Sequence, residues 1–172
     1  MQRLEARLAA AALAIAALAS PASAPHAKDA RSVTGTWRGS YVCAQGPTGL
    51  TLSIDRQSGA DFSGFFHFYP PRGNPAAKEG CFAVTGHLDA DGGATVRAGR
   101  WITRPFGYVT VDLAGRLDPS GLTMAGDVAA PPEYGALCRR FEIDWHGRRA
   151  KAADVCREAG LQVLHSGELA RP

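Results

Sequence analysis

The sequence lacks the short motifs by which common catalytic and metal sites are recognised. It has no C-x-x-C pair, no H-E-x-x-H motif, no nucleophile-elbow serine and no phosphate-binding glycine loop. The spacing of its four cysteines matches no zinc pattern. We therefore predict no catalytic residue, no metal site and no cofactor, and an enzyme of unknown reaction stays only an alternative.

The titratable side chains are also poorly placed for chemistry. If the third and fourth strands turn near residue 75, His67 faces about residue 83 and not His87, which disfavours a two-histidine metal site. The acidic pairs fall on the outward phase of their strands, where solvated faces explain them. These pairs are Asp112 with Asp127 and Glu142 with Asp144.

A strong net charge is missing too, since the formal value for the 172 residues is +3. The one basic run, "HGRRAK" from His146 to Lys151, has no interleaved aromatic residues and indicates a solvated connector. We therefore expect no nucleic-acid partner.

No apolar run is long enough for a membrane span, which needs about 20 residues. Leu8 to Ala19 is shorter and rich in alanine, follows Arg3 and Arg7, and leads to the small residues "SPASA". This pattern is typical of a secretory signal peptide. We predict that residues 1–22 are the leader, cleaved near Ala22 or Ala24, and that the mature chain is periplasmic or extracellular without a membrane anchor.

The remaining chain, about 150 residues, suffices for one domain. We expect a flexible N-terminal segment at 23–33, a β-barrel domain at 34–146, and a helix and tail at 147–172. All four cysteines lie in the exported part, where disulfides persist. Their even number predicts two bridges among Cys43, Cys81, Cys138 and Cys156.

Two-residue alternation of apolar and polar side chains recurs along the chain and predicts strands that are buried on one face. Leu50 to Ile54 and Val109 to Leu113 are examples, and short turns such as "DADGG" and "DPSG" separate the segments. We count eight strands and predict an all-β, antiparallel, up-and-down barrel. Helix formers from Ala150 to Gly160 predict a short C-terminal helix.

Two further features of the sequence affect the predicted barrel of consecutive strands. Glycines recur inside the predicted strands, which indicates sharp bends or close packing. They are Gly86, Gly99, Gly115 and Gly126. The segment "PPRGNPAAKEG", residues 70–80, is longer than an ordinary hairpin loop and is either a lid over one barrel mouth or a plain surface excursion.

The stretch "GTW", with Gly35 and Trp37 on the first predicted strand, followed by an eight-strand meander and a helix, resembles the calycin barrels, which include lipocalins and avidins. The resemblance implies that Trp37 closes one barrel end and that a basic residue of the last strand, Arg139 or Arg140, packs on it. Biotin binding is not implied. "YVCAQG", "TGLTLSI" and "GYVTVDL" also resemble small exported bacterial domains of unassigned function.

The barrel bears on the cysteine pairing. Closure brings the end of the first strand, Cys43, toward the start of the last, Cys138, although their opposite parity would require a bulge. The lipocalin resemblance implies that Cys81 joins Cys156 in the tail. The other two connectivities stay open.

Two binding hypotheses follow, with an exported binding module as the prediction. In the first, inward aromatic residues line a cavity for a small apolar ligand, although the same rings would equally fill a solid core. They are Trp37, Tyr41, Phe66, Phe68, Phe82 and Trp101. In the second, an envelope protein, including a hydrolase to be inhibited, binds the outward residues Phe65, Tyr69 and Tyr108 beside the loop at 70–80.

Overall fold

Eight antiparallel strands close into a barrel within residues 31–156, which are the residues that the computed structural model describes. The strands are β1 (Gly35–Cys43), β2 (Gly46–Ser58), β3 (Asp61–Tyr69), β4 (Gly80–Leu88), β5 (Gly93–Thr103), β6 (Asp112–Leu117), β7 (Thr123–Ala129) and β8 (Arg140–Gly147). Each strand bonds to the next, and β8 bonds back to β1. The predicted all-β, up-and-down barrel is confirmed.

Alternation decides which side chains enter the barrel, because successive residues of a strand point to opposite faces. On β2, Leu50, Leu52 and Ile54 are fully buried. Cross-strand pairing then places Leu52 beside Trp37 on β1 and Phe66 on β3. The apolar residues of all eight strands therefore form one central core.

Mid-strand glycines make room for this core. Gly115 pairs with Gly126, and Gly126 also pairs with Phe141 on β8. A Cβ atom on Gly115 would meet the Phe141 ring, and one on Gly126 would meet the backbone of Ala114. The close packing expected at these two glycines is therefore present.

The contact between β5 and β6 is short, and here the expected strand boundary is wrong. β6 begins at Asp112, so Val109 and Thr110 lie in a loop and not in the strand. The pairing spans only Gly93 to Val96 on β5. Beyond it, Asp112 accepts hydrogen bonds from the Ala98 N–H and from Arg97, both at 2.8 Å. Asp112 thus replaces a missing strand partner and is not merely a solvated acid.

The three long connections share one end of the barrel with the tight turn at 44–45, and the other tight turns lie at the opposite end. We call one the loop end; it carries residues 70–79, 104–111 and 130–139, the last of which includes the short helix α1 (Pro132–Gly135). The other, the turn end, carries the tight turns at 59–60, 89–92 and 118–122. No helix among residues 31–156 has the length and apolar character to cross a membrane.

The first described residues cover the turn end. Val33 is fully buried, and its N–H donates to Gln57 Oε1 at 2.8 Å. Arg31 donates to the carbonyls of Asp118 and Pro119. Residues 31–33, which we expected in a flexible segment, are therefore held by the barrel.

The disulfide Cys43–Cys138 lies at the loop end, where the register changes. Tyr41 pairs with Phe141, but the Arg139 N–H donates to the Val42 carbonyl at 2.9 Å. This bond shifts the pairing by one residue. Cys138 thereby comes opposite Cys43, which removes the parity conflict between them.

The second disulfide, Cys81–Cys156, attaches the C-terminal segment to the outside of β4. Residues 150–153 are not helical, and a helical turn begins only at 154. The predicted helix start at Ala150 is therefore wrong, and the rest of that helix lies outside the described residues. Two disulfides are typical of proteins from an oxidising, extracytoplasmic environment.

Candidate functional site

A segment that we call the strap, residues 149–156, crosses the outside of the barrel after β8. The Thr36 hydroxyl on β1 donates to the Arg149 carbonyl at 2.8 Å and accepts the Lys151 N–H at 3.0 Å. On β2, the Ser53 hydroxyl donates to the Lys151 carbonyl at 2.8 Å. The far end is held by Thr103, which donates to the Val155 carbonyl, and by Cys81–Cys156.

A groove of about 1320 Å³, open to solvent, lies between the strap and the barrel wall. β1, β2 and β3 contribute outward side chains to the groove, the strap forms its opposite wall, and Pro70 and Glu79 lie at its edge. The side chains from the strands are Arg38, Thr51, Ser53, Asp55, Phe65, His67 and Tyr69. Because every second residue of a strand points outward, neighbouring strands supply these residues in rows.

The floor of the groove centres on His67. Its Nε2 lies 2.8 Å from Glu79 Oε1 in a hydrogen bond, and its side chain is only 12% exposed. Its ring centroid lies 5.0 Å from that of Tyr69. Register places His67 between Thr51 on β2 and Cys81 on β4. His67 does not face His87, which pairs with Asp61 near the turn end.

The groove combines aromatic faces with charges of both signs. Arg38 and Lys151 contribute exposed cations, and Asp55 and Glu79 contribute exposed carboxylates. The N–H groups of Ala150 and Ala152 have no hydrogen-bond partner within residues 31–156. The groove therefore offers donors, acceptors and flat apolar surface to one ligand. Residues 31–156 hold no group of three His, Cys, Asp or Glu side chains suited to a metal ion.

The residues expected to line an internal cavity contact one another instead. Phe66 stacks on Phe82 at 4.6 Å, and Tyr41 meets the edge of Phe66 at 5.6 Å. Phe68 and Trp101 contact the same cluster at 6.4 and 5.2 Å from Phe82. Five of the six residues are buried, and Trp101 is half-buried at the barrel edge. These rings occupy the barrel interior.

Tyr41 lies where the core reaches the loop end. Burial raises the pKa of its phenol far above the ordinary range, although Gln45 Nε2 donates to the hydroxyl at 3.0 Å. Tyr108 stacks on Phe68 at 5.5 Å, and its hydroxyl accepts the Lys78 N–H. Only a small cavity, about 60 Å³, lies beside Tyr41 and Tyr108. Tyr108 thus packs against the barrel, unlike the exposed anchor expected of it.

Trp37 and the predicted basic partner lie far apart. Trp37 is 1% exposed and donates to the Val33 carbonyl at 2.8 Å, so it closes the core near the turn end. Arg139 follows Cys138 at the loop end, and its side chain is exposed. Arg140 begins β8 at the same end and is also exposed. Neither arginine therefore reaches Trp37, because β8 runs antiparallel to β1.

The outward residues of β3 were only partly anticipated. Phe65 and Tyr69 line the groove, as their outward parity suggests, but the strap partly covers them. The roles of Thr36, Ser53 and Lys151 were missed. Small hydroxyl residues at outward positions of β1 and β2 are the available signal, because such positions on a solvated face more often carry charge.

The segment at 70–79 packs against the β1–β2 turn. Asn74 Nδ2 donates to the Gln45 carbonyl at 2.5 Å and to the Pro47 carbonyl at 3.0 Å. Ala77 is buried beneath the loop. These contacts place the segment over one mouth of the barrel, so of the two alternatives the covering loop describes it better than a plain excursion.

No family model matches this chain, and comparisons with curated proteins and with solved structures find no matching protein. Its architecture defines its class: an eight-stranded, closed, antiparallel β-barrel braced by two disulfides. Contacting aromatic rings occupy its interior, and a disulfide-anchored strap borders an outer groove.

Proposed function

We propose that this protein is an exported, non-catalytic binding module that holds a segment of an envelope protein in the groove beneath the strap. The observation that carries the proposal is the groove itself. Aromatic surface, both signs of charge and backbone N–H groups without a partner in residues 31–156 converge there. The filled barrel interior supports an external site over an internal one.

The size and shape of the groove favour a polypeptide. Small-molecule pockets span roughly 300–1,000 Å³ and enclose most of their ligand. The groove is larger, about 1320 Å³, and open to solvent. An extended segment of a partner fits such a shape, since it needs contact along its length and not enclosure.

The chemistry of the groove matches a peptide as well. Peptides bind with main-chain hydrogen bonds for affinity and side-chain contacts for specificity. Ala150 and Ala152, whose N–H groups have no partner in the described part of the chain, supply donors for the peptide carbonyls. Phe65 and Tyr69 supply apolar surface for its side chains. Arg38 supplies a cation for an acidic residue.

Two parts of the proposal concern the export of the protein and its structural kinship. Residues 1–22 act as a cleaved leader, and the disulfides Cys43–Cys138 and Cys81–Cys156 support export to the periplasm or beyond. The barrel is of the calycin type, which its closure and the position of Trp37 at the turn end support. The position of Arg139 at the opposite end does not support that kinship.

The test is selection of peptides from a random displayed library on the oxidised mature protein. We expect enriched peptides that bind the Tyr69→Ser variant at least tenfold more weakly than the wild type. This is the effect expected when an interface loses one aromatic contact. The matched control is Tyr134→Ser, a half-buried tyrosine in α1 outside the groove. It should bind as the wild type does.

Hydrogen exchange with the selected peptide bound gives an independent readout. The amides of Ala150 and Ala152 should become protected from exchange. The exchange of amides in the turns at the turn end should change little. A library that yields no binder would reject the proposed function. So would binders that lose affinity equally in both tyrosine variants, because the groove would then not be the site.

A further inference from the structure

The connections of the loop end carry an excess of basic side chains, whereas at the turn end Arg31, Arg148 and Arg149 offset the acids of the turns. The turns at 59–60, 89–92 and 118–122 contain three acids and no base: Asp89, Asp91 and Asp118. The connections of the loop end contain four bases and two acids. The bases are Arg72, Lys78, Arg104 and Arg139, and the acids are Glu79 and Glu133. All six of these loop-end side chains are exposed, and Glu79 is already bonded to His67.

The loop end also carries protruding apolar side chains. Phe106 is fully exposed at the tip of the loop 104–111, between Pro105 and Gly107. Leu137, in the neighbouring loop, is 52% exposed. Exposed apolar side chains are common singly, but here each is flanked by an exposed arginine, Arg104 or Arg139, on the same end of the barrel.

The loops that hold these residues are fastened to the barrel. Cys43–Cys138 anchors the loop 130–139. Arg104 Nε donates to the Tyr108 carbonyl at 3.1 Å, and its guanidinium lies 5.7 Å from the Trp101 ring centroid. The exposed groups therefore stand on a preorganised surface, which lowers the entropic cost of docking.

We propose that the loop end docks on an anionic phospholipid surface, with Phe106 inserted at the headgroup level. Isolated protruding rings suit a deformable bilayer interface, where aromatic residues are enriched. A protein partner would instead need a pocket shaped for Phe106. The four basic side chains complement the lipid charge, and each such residue contributes to attraction near an anionic surface.

This orientation leaves the groove accessible, because the groove lies on the side wall of the barrel and not at the loop end alone. The docking is independent of the proposed peptide binding. Either property can therefore fail without the other.

The test is co-sedimentation of the oxidised mature protein with vesicles. Mixed phosphatidylcholine and phosphatidylglycerol vesicles should bind it, and pure phosphatidylcholine vesicles should not. Added salt should weaken the binding, because it screens exposed charges. Arg72→Gln and Arg139→Gln should each weaken it about fivefold.

The apolar contact is tested by Phe106→Ser, which should weaken binding to the mixed vesicles about tenfold. Leu122→Ser is the matched control, because Leu122 is 51% exposed but lies at the turn end. It should bind as the wild type does.

Three results would overturn the proposal. They are equal binding to both vesicle types, equal losses in Phe106→Ser and Leu122→Ser, and retention on immobilised polyglutamate without any vesicle binding. The last result would assign the same basic surface to an acidic protein partner.

Discussion

One hydroxyl group, that of Thr36, bonds two backbone groups of the strap at once: it donates to Arg149 and accepts from Lys151. Thr36 is 5% exposed and lies on the first strand, 115 residues before Lys151. The contact therefore links the first strand to the C-terminal segment and fixes one wall of the groove.

Thr36→Val should release this part of the strap. The substitution keeps the shape but leaves the Lys151 N–H and the Arg149 carbonyl without their partner, which costs about 1–3 kcal/mol. Urea unfolding should show this loss, and amide exchange should rise at Lys151, whose N–H is bonded to Thr36. Thr95→Val is the control, because the Thr95 hydroxyl has no hydrogen-bond partner in the described part of the chain. Unchanged exchange in Thr36→Val would show that the strap is held elsewhere.

Replacing both Cys81 and Cys156 by serine should detach the far end of the strap. The bridge spans 75 residues, and its loss should cost about 2–4 kcal/mol of unfolding free energy. Hydrogen exchange should increase at positions 151 and 156, whose amides are hydrogen-bonded in the strap. The double replacement of Cys43 and Cys138 should cost a similar amount without that local increase. If both variants expose the strap equally, the Cys81 bridge has no special role in the groove.

Gly126→Ala should destabilise the barrel, because the added Cβ would meet the Ala114 carbonyl and the Cα of Gly115. Backbone atoms cannot move aside cheaply, so we expect a loss of about 1–3 kcal/mol. Thermal or urea unfolding measures it. Gly73→Ala is the control, since no atom lies within 4 Å of its added Cβ. Equal stability of the two variants would contradict the close packing between β6 and β7.

Asp118 should make the stability of the turn end depend on acid pH. The Ser120 hydroxyl and the Thr123 N–H hold the pKa of Asp118 well below its ordinary range. A depressed pKa stabilises the fold above the ordinary value and loses that effect as pH falls. Asp118→Asn should therefore be less stable than the wild type at neutral pH, and the difference should shrink below about pH 4.

Unfolding by urea across this acid range checks the expectation. Asp127→Asn is the matched control, because the Asp127 side chain accepts no hydrogen bond within residues 31–156. A constant difference between Asp118→Asn and the wild type at every pH would show that the turn does not depend on the ionised carboxylate.

The strands could be predicted because each carries its own signal. Leu50, Leu52 and Ile54 alternate with polar residues, and the pleat converts that alternation into a buried and an outward face. This alternation gave a wrong strand start at Val109. The alternation of apolar and polar residues extends to Val109, but β5 offers no hydrogen-bond partner there. Local alternation predicts which face of a strand is apolar. It does not predict whether a neighbouring strand is present to pair with it.

The groove could not be predicted from the same signal. Arg38, Thr51 and His67 become neighbours through register, and the strap reaches them only because Cys81 and Thr36 hold it. The run "HGRRAK" indicates a connector, and its last three residues line the groove. Its path depends on the hydroxyl groups of Thr36 and Ser53, which lie 115 and 98 residues before Lys151 in the chain.

Local patterns in the sequence specify the strands and the turns, since these follow from interactions between residues near one another in the chain, and the count of eight strands led to the expectation of a closed barrel. Tertiary structure alone decided that the aromatic rings fill the interior, that Arg139 and Trp37 lie at opposite ends, and that a groove forms outside. The physical reason is that packing, register and the course of the strap depend on contacts between distant residues.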